Sequence, residues 1–179
     1  KTLLRNNVDV LLVTDGDVVK SSDGNLTQIS TNLDLFKKNV SDRLGVKNDF
    51  KSFYKLTDFK IFYKLLLDDK ITHKYKYYGF CDLDVCFGNL DQWLMESLLR
   101  DVDIIGNRGH LMFFKESYIE DLYLRLIPDS LVVFPVNKIL SANKCFAFDE
   151  FKFIHKMIES DIKKHGKTLD IEISAKAID

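Results

Sequence analysis

The chain lacks the features of a nucleic-acid-binding, secreted or membrane-spanning protein. Its 26 lysines and arginines are balanced by 27 aspartates and glutamates, so a net charge of −1 gives no reason to expect nucleic acid as a partner. The three cysteines, odd in number and set among apolar residues, fit free thiols in a reducing compartment better than a disulfide framework. Charged residues interrupt every hydrophobic run, so no transmembrane span or signal peptide is predicted. We expect a cytoplasmic protein, with peripheral contact to the inner face of the membrane left open.

Common catalytic and cofactor motifs are missing as well. The sequence contains no phosphate-cradling Gly-x-x-x-x-Gly-Lys-Ser/Thr loop, no Gly-x-Gly-x-x-Gly turn after a strand, and no Cys-x-x-Cys or His-Glu-x-x-His metal site. It has only two prolines and no internal repeat, so nothing marks a linker. With 179 residues, of which 46% are hydrophobic, one domain with a substantial core is expected over residues 1–179.

Apolar runs alternate with amphipathic segments along the chain. This alternation is typical of an α/β fold in which helices cover a mostly parallel, twisted sheet. The pattern predicts strands over 8–13, 26–29, 75–81, 103–106, 110–114 and 132–134, with 75–81 as the central strand. It predicts helices from Ser30 or Thr31 to Leu44 and over 53–67, 90–99, 117–127 and 149–164, the first ended by Gly45 and the last by Gly166.

The most informative segment is Asp82-Leu83-Asp84, which follows an aromatic and apolar run. Two carboxylates two residues apart on an extended segment project to the same side, roughly 6 to 7 Å apart, and the apolar flanks limit their hydration. A divalent cation held by one or two carboxylates and by substrate phosphates is the usual way in which proteins use Mg²⁺ or Mn²⁺. A solvated acidic turn is the alternative. The segment therefore indicates a metal and phosphate site.

Several other charged residues have both a functional and an ordinary interpretation. Asp15, at the end of a predicted strand, could accept hydrogen bonds from a nucleobase or ribose, or belong to a hydrated Asp-Gly turn. Lys55 and Asp58, with Lys60 nearby, could approach a diphosphate, or form an exposed helical charge pair. His110 follows Gly109, where the backbone allows close approach, and could face a pocket or simply be a core or surface histidine.

Asp149 and Glu150 are a further pair of acids. They stand at a predicted helix start, where the helix dipole favours negative charge without any catalytic role.

Four motifs, taken in order, resemble those of an uncharacterised bacterial family of GT-A-fold glycosyltransferases. The motifs are YKLTDFK at 54–60, GFCDLDVCFG at 79–88, RGHL at 108–111 and FDE at 148–150. The sequence departs from the family pattern at Thr57, where a cysteine is expected, at Ile61-Phe62, where Pro-Ala is expected, and at Gly16, where another acid is expected. The resemblance spans about residues 8–150.

The resemblance implies a nucleotide-diphospho-sugar transferase fold and transfer of a sugar to a cell-surface saccharide acceptor. It implies Mn²⁺ or Mg²⁺ at Asp82 and Asp84 and a nucleoside-diphosphate sugar as donor, UDP-sugar being favoured. Asp82 points toward the ribose or sugar and Asp84 toward the metal. Lys55 and Asp58 line the donor side, while His110, Asp149 and Glu150 face the acceptor or the transferred sugar. If the reaction inverts configuration, the resemblance implies that Glu150 or Asp149 acts as base toward an acceptor hydroxyl. The family's first strand is expected before Lys1 and further ligands after Asp179, so the segment is expected to be truncated at both ends.

Two other functions remain open from the sequence. A phosphotransferase of the haloacid-dehalogenase type also places Asp-x-Asp after a strand, although it needs that motif on its opening strand rather than in the middle of the chain. A nucleotide-sugar or carbohydrate-binding module without catalysis is the other alternative.

Overall fold

The computed structural model describes residues 3–17, 24–126, 136–149 and 154–170, which form helices and strands in alternation. The strands are β1 (Val10–Thr14), β2 (Leu26–Ser30), β3 (Tyr77–Cys81), β4 (Ile104–Arg108), β5 (Leu111–Lys115) and β6 (Leu169–Asp170). The α-helices are α1 (Leu33–Leu44), α2 (Tyr63–Leu66), α3 (Asp91–Leu99), α4 (Glu116–Leu126), α5 (Val136–Ser141) and α6 (Ile154–His165), and 3₁₀ helices cover Leu3–Arg5, Phe53–Phe62 and Asp68–Lys70. The mixed α/β class is therefore confirmed.

The strands form two small sheets, and the larger sheet is mostly antiparallel. β1 pairs with β2 in parallel, and the other sheet has the order β3-β5-β4-β6. β5 is antiparallel to both β3 and β4, and only the β4–β6 pair is parallel. β4 and β5 are separated only by Gly109 and His110, which is too short for the crossover that parallel neighbours require. The expectation of a mostly parallel sheet with β3 at its centre is therefore wrong for the described residues, where β3 is an edge strand.

The predicted helix ends agree with the structure more closely than the predicted helix starts. Gly45 ends α1 with a φ of 66°, and Gly166 follows α6 with a φ of 61°, both in the left-handed region that favours glycine. The start of α1 is capped by Asn32, whose side chain accepts a hydrogen bond from the backbone of Leu35, and not by Ser30 or Thr31. The predicted strand at 132–134 lies outside the described residues.

The segment predicted as one helix over 53–67 is mainly a 3₁₀ helix. Residues three apart lie on the same side of such a helix. Lys55, Asp58 and Ile61 accordingly form one buried row, while Lys60 belongs to a different row. Lys55 and Lys60 therefore lie on different sides of this helix.

The core is formed by the larger sheet and the helices packed on it. Its fully buried members include Phe59, Phe62, Phe114, Tyr118 and Leu122. Among the described helices, none is long and apolar enough to cross a membrane.

Gly79 fixes the distance between β3 and β5. It stands opposite Phe113, and a Cβ atom at this position would lie 2.2 Å from the backbone oxygen of Met112. We therefore expect Gly79→Ala to lower the free energy of unfolding by about 1–3 kcal/mol, because the strands must separate to admit the methyl group. Gly88→Ala is the matched control, since nothing lies within 4 Å of its Cβ position. Urea unfolding measures both variants, and equal losses would contradict the prediction.

Candidate functional site

A cleft of about 1240 Å³ runs beside β1 and β3. Along the strands its walls are largely apolar, whereas acidic residues line it after the strand ends. Within the described residues, β1 pairs with a neighbour on one edge only and β3 is the outermost strand of its sheet. The strand that the family resemblance places before Lys1 stays a prediction. Among the charged residues that line the cleft, five form the candidate site: Asp15, Lys60, Asp82, Asp84 and Asp149.

Lys60 is the central cation of this site. Its ammonium group donates hydrogen bonds to Asp82 Oδ1, to Asp149 Oδ2 at 2.6 Å and to the backbone oxygen of Gly109 at 3.5 Å. The residue is only 8% exposed. Burial alone would lower the pKa of Lys60, but the hydrogen bonds and charges of Asp149 and Asp82 outweigh it and raise the pKa above its ordinary value. Lys60 is therefore charged at neutral pH.

His110 completes the pairing of Asp82. Its Nδ1 lies 2.7 Å from Asp82 Oδ2, so that both oxygens of Asp82 have a partner. Burial alone would raise the pKa of Asp82, but the hydrogen bonds from Lys60 and His110 lower it below its ordinary value. The side chain of His110 is 65% exposed, so the histidine connects the buried lysine–carboxylate group to solvent.

The fold explains why residues so distant in the sequence meet here. Asp82 directly follows β3, and His110 directly precedes β5, the strand that pairs with β3. The backbone N–H of Asp82 donates to the oxygen of His110 at 3.0 Å, which extends this pairing by one residue. Gly109 lies close to Asp149. A Cβ atom at Gly109 would be only 2.6 Å from Asp149 Oδ2. Each of the four sequence motifs thus contributes one residue to a single cluster: Lys60, Asp82, His110 and Asp149.

Asp84 and Asp15 are exposed and line the same cleft. Within the described part of the chain, the Asp84 carboxylate has no hydrogen-bond partner, which leaves it available to a ligand. Asp15 follows β1 in a turn where Gly16 N–H donates to Thr14 Oγ1 at 3.0 Å. No group of three metal-ligating side chains occurs among the described residues. A magnesium or manganese ion that also binds substrate phosphates needs only one or two carboxylates, so the free carboxylate of Asp84 fits such an ion.

The structure places Lys55 and Asp58 away from the cleft. Both side chains are 0% exposed and form an ion pair with an Nζ–Oδ2 distance of 2.7 Å. Lys55 also donates to the backbone oxygen of Lys144, while Asp58 accepts from the backbone N–H groups of Phe146 and Phe148. Neither residue lines the cleft, so their placement gives no support to direct contact with a donor. They hold the segment that carries Asp149.

Sequence reasoning did not give Lys60 a role of its own. The sequence feature that distinguishes Lys60 is its spacing. Lys60 lies five residues after Lys55, so in a helix with three residues per turn it is not on the same side as Lys55. Glu150, predicted with Asp149, lies outside the described residues.

The fold and site define a mixed α/β protein with an acidic cleft in which a buried lysine bridges two aspartates. A protein-family model matches residues 1–177, and the chain belongs to this family, DUF6625, which is described as a family of unknown function. No curated protein and no solved structure matches the chain.

Proposed function

We propose that this chain is a metal-dependent glycosyltransferase of GT-A type. The observation that supports this function is the meeting of Lys60, Asp82, His110 and Asp149 beside the Asp-x-Asp turn. These residues come from the four motifs that resemble those of glycosyltransferases. A common position in one cleft is expected if the motifs serve one reaction. The proposed reaction transfers a sugar from a nucleoside-diphosphate sugar, preferably a UDP-sugar, to a cell-surface saccharide.

The donor side of the proposed site is the Asp-x-Asp turn and the end of β1. A bound Mn²⁺ or Mg²⁺ ion would neutralise the leaving nucleoside diphosphate, which is the main electrostatic demand of breaking the sugar–phosphate bond. Asp84 would hold this ion. Asp82 would face the ribose or sugar while Lys60 and His110 fix its carboxylate, and Asp15 would face the nucleoside.

The acceptor side is proposed to contain His110, Asp149 and Glu150. Transfer with inversion of configuration requires a base that removes the proton of the acceptor hydroxyl. Asp149 or Glu150 is the proposed base. If replacement of both acids left the turnover of an inverting reaction unchanged, this role would be discarded.

The proposal predicts that Asp84→Asn removes metal-dependent nucleotide binding. We expect UDP, or else GDP, to bind in the presence of Mn²⁺ and to lose about tenfold or more in affinity in the variant, because the amide is a poorer ligand for a hard cation. Isothermal titration calorimetry with and without Mn²⁺ measures the effect. Asp42→Asn, an exposed acid on α1, is the matched control. Retained Mn²⁺-dependent binding by a folded Asp84→Asn variant would contradict the metal assignment.

The phosphotransferase alternative has less support than the glycosyltransferase. A phosphoryl-accepting aspartate uses a carboxylate oxygen as nucleophile, whereas both oxygens of Asp82 are hydrogen-bonded to cationic or polar groups. Detection of a phospho-aspartate would nevertheless favour this alternative. Donor binding without hydrolysis or transfer would favour a binding module.

The proposed location is the cytoplasm. Cys81, Cys86 and Cys145 are free thiols, as expected in a reducing compartment.

A further inference from the structure

Tyr54 presents an aromatic ring to the open cleft. The residue is 71% exposed and lines the cleft beside Phe53, which is 57% exposed. Within the described residues, the ring of Tyr54 contacts no other aromatic ring and its hydroxyl group has no hydrogen-bond partner. Of the other exposed large apolar side chains, Leu83 and Met95 also line this cleft. An accessible aromatic ring in a concave site is suited to contact with a ligand.

The backbone of Tyr54 is held in place although its ring is free. Its N–H group donates to Ser52 Oγ at 3.3 Å, and its carbonyl oxygen accepts a hydrogen bond from Thr57 Oγ1 at 2.9 Å. The next residue, Lys55, is fully buried in its ion pair with Asp58. The ring therefore stands on a fixed backbone, so little ordering is required when a ligand binds.

The 3₁₀ helix places Tyr54 on the same side as Lys60. Residues three apart share one side of such a helix, so Tyr54, Thr57 and Lys60 form one row, and all three line the cleft. Tyr54 is exposed and Lys60 is buried, so the row leads from solvent to the charged cluster. With a rise of about 2 Å per residue, the two ends of the row are about 12 Å apart along the helix axis. This separation is longer than one sugar ring.

The surroundings of the Tyr54 ring favour a neutral ligand on the proposed acceptor side. Thr57 Oγ1 lies 3.2 Å from Cys145 Sγ, in the segment that leads to Asp149. The exposed end of the row contributes an aromatic ring and a hydroxyl group but no charge. A sugar ring has an apolar face of C–H groups, which the negative face of an aromatic ring attracts. A saccharide therefore suits this end of the row.

We propose that the acceptor is an oligosaccharide and that Tyr54 stacks on one of its rings, at least one sugar away from the hydroxyl that reacts near Asp149. The inference rests on the proposed function for the reaction at Asp149. It adds a second saccharide subsite at the exposed end of the cleft. It also predicts that a free monosaccharide is an incomplete acceptor.

Titrations with saccharides that differ by one ring test this subsite. The probes are methyl galactoside against lactose and methyl glucoside against cellobiose, with binding followed by nuclear magnetic resonance. We expect a disaccharide to bind the wild type about three- to tenfold more tightly than its single-ring counterpart, because stacking adds affinity. Tyr54→Ala should remove this preference and Tyr54→Phe should keep it. Leu124→Ala is the control, since Leu124 is 75% exposed and lies outside the cleft.

Equal preferences for the disaccharides in the wild type and Tyr54→Ala, or no preference in the wild type, would overturn the inference. Weaker Mn²⁺-dependent binding of UDP by Tyr54→Ala, with saccharide binding unchanged, would assign the ring to the nucleobase and overturn it as well. Thermal unfolding checks that each variant is folded. If Tyr54→Ala does not fold, Tyr54→Leu replaces it, because leucine keeps an apolar side chain without a flat ring.

Failure of the proposed function gives a different result. The wild type would then bind neither UDP nor GDP with Mn²⁺. A preference for disaccharides that Tyr54→Ala removes would still support the saccharide subsite, now as part of a carbohydrate-binding module.

Discussion

Asp58→Ala is expected to lower the free energy of unfolding by about 3–5 kcal/mol, because it leaves the fully buried ammonium of Lys55 without its counter-charge. It also removes the acceptor for the backbone N–H groups of Phe146 and Phe148, which lie 3.1 and 2.9 Å from Asp58 Oδ1. Lys55 would retain hydrogen bonds to the backbone oxygens of Ile139 and Lys144, which carry no full counter-charge. Chemical denaturation measures the loss.

The controls for Asp58→Ala separate charge from hydrogen bonding. Asp58→Asn keeps the shape and one acceptor but removes the charge, so an intermediate loss is expected. Asp42→Ala replaces an exposed acid and should change stability by no more than about 0.5 kcal/mol. A loss for Asp58→Ala as small as that of Asp42→Ala would show that the buried pair does not hold the segment before Asp149.

Lys60→Met is expected to cost about 3–5 kcal/mol at neutral pH, because Asp82 and the buried Asp149 would lose their shared cation. Methionine has a similar length without the charge. The free energy of unfolding of wild type and variant should be compared across pH. Lys64→Met is the control, since Lys64 pairs with the exposed carboxylate of Glu120 at 3.1 Å.

The pH dependence of the Lys60→Met effect follows from the two shifted pKa values. The pKa of Asp82 is lowered on folding, so its stabilising contribution is present above its unfolded value and is lost as the pH falls through the folded value. The pKa of Lys60 is raised, so its contribution is present below its unfolded value of about 10.5 and is lost as the pH rises through the folded value. The difference between wild type and variant should therefore be largest near neutral pH and shrink in acid and in strong base. A difference independent of pH would indicate lost packing instead of lost charge pairing.

Part of the fold could be predicted because local chemistry decides it. Gly45 and Gly166 mark the ends of α1 and α6, since a left-handed residue is needed there and glycine adopts it without strain. The pairing of β3 could not be predicted in this way. An apolar run such as Tyr77–Cys81 suits a central or an edge strand, and only the neighbours that the chain brings to it decide between them.

The candidate site shows the same division between local and tertiary information. The two aspartates of the Asp-x-Asp turn were recognised from their apolar setting, but their different surroundings were not. Asp82 is tied to Lys60 and His110, while Asp84 is exposed to the cleft. From the sequence, Lys55 and Asp58 could approach a diphosphate or form an exposed helical charge pair, and the resemblance favours the donor side. In the structure they form a buried ion pair, and Asp58 accepts hydrogen bonds from the segment before Asp149.

The sequence by itself determined the α/β class, several helix ends and the four segments that carry charged residues, because these depend on neighbouring residues along the chain. Only the tertiary structure decided which of those charges meet. Lys60 pairs with residues 22 and 89 positions away, and His110 with one 28 positions away. Contacts over such separations depend on strand pairing and on the burial of both partners, and a buried charge is tolerated only where an opposite charge reaches it. Lys55 meets that requirement through Asp58 in the interior, and Lys60 meets it through Asp82 and Asp149 beside the cleft.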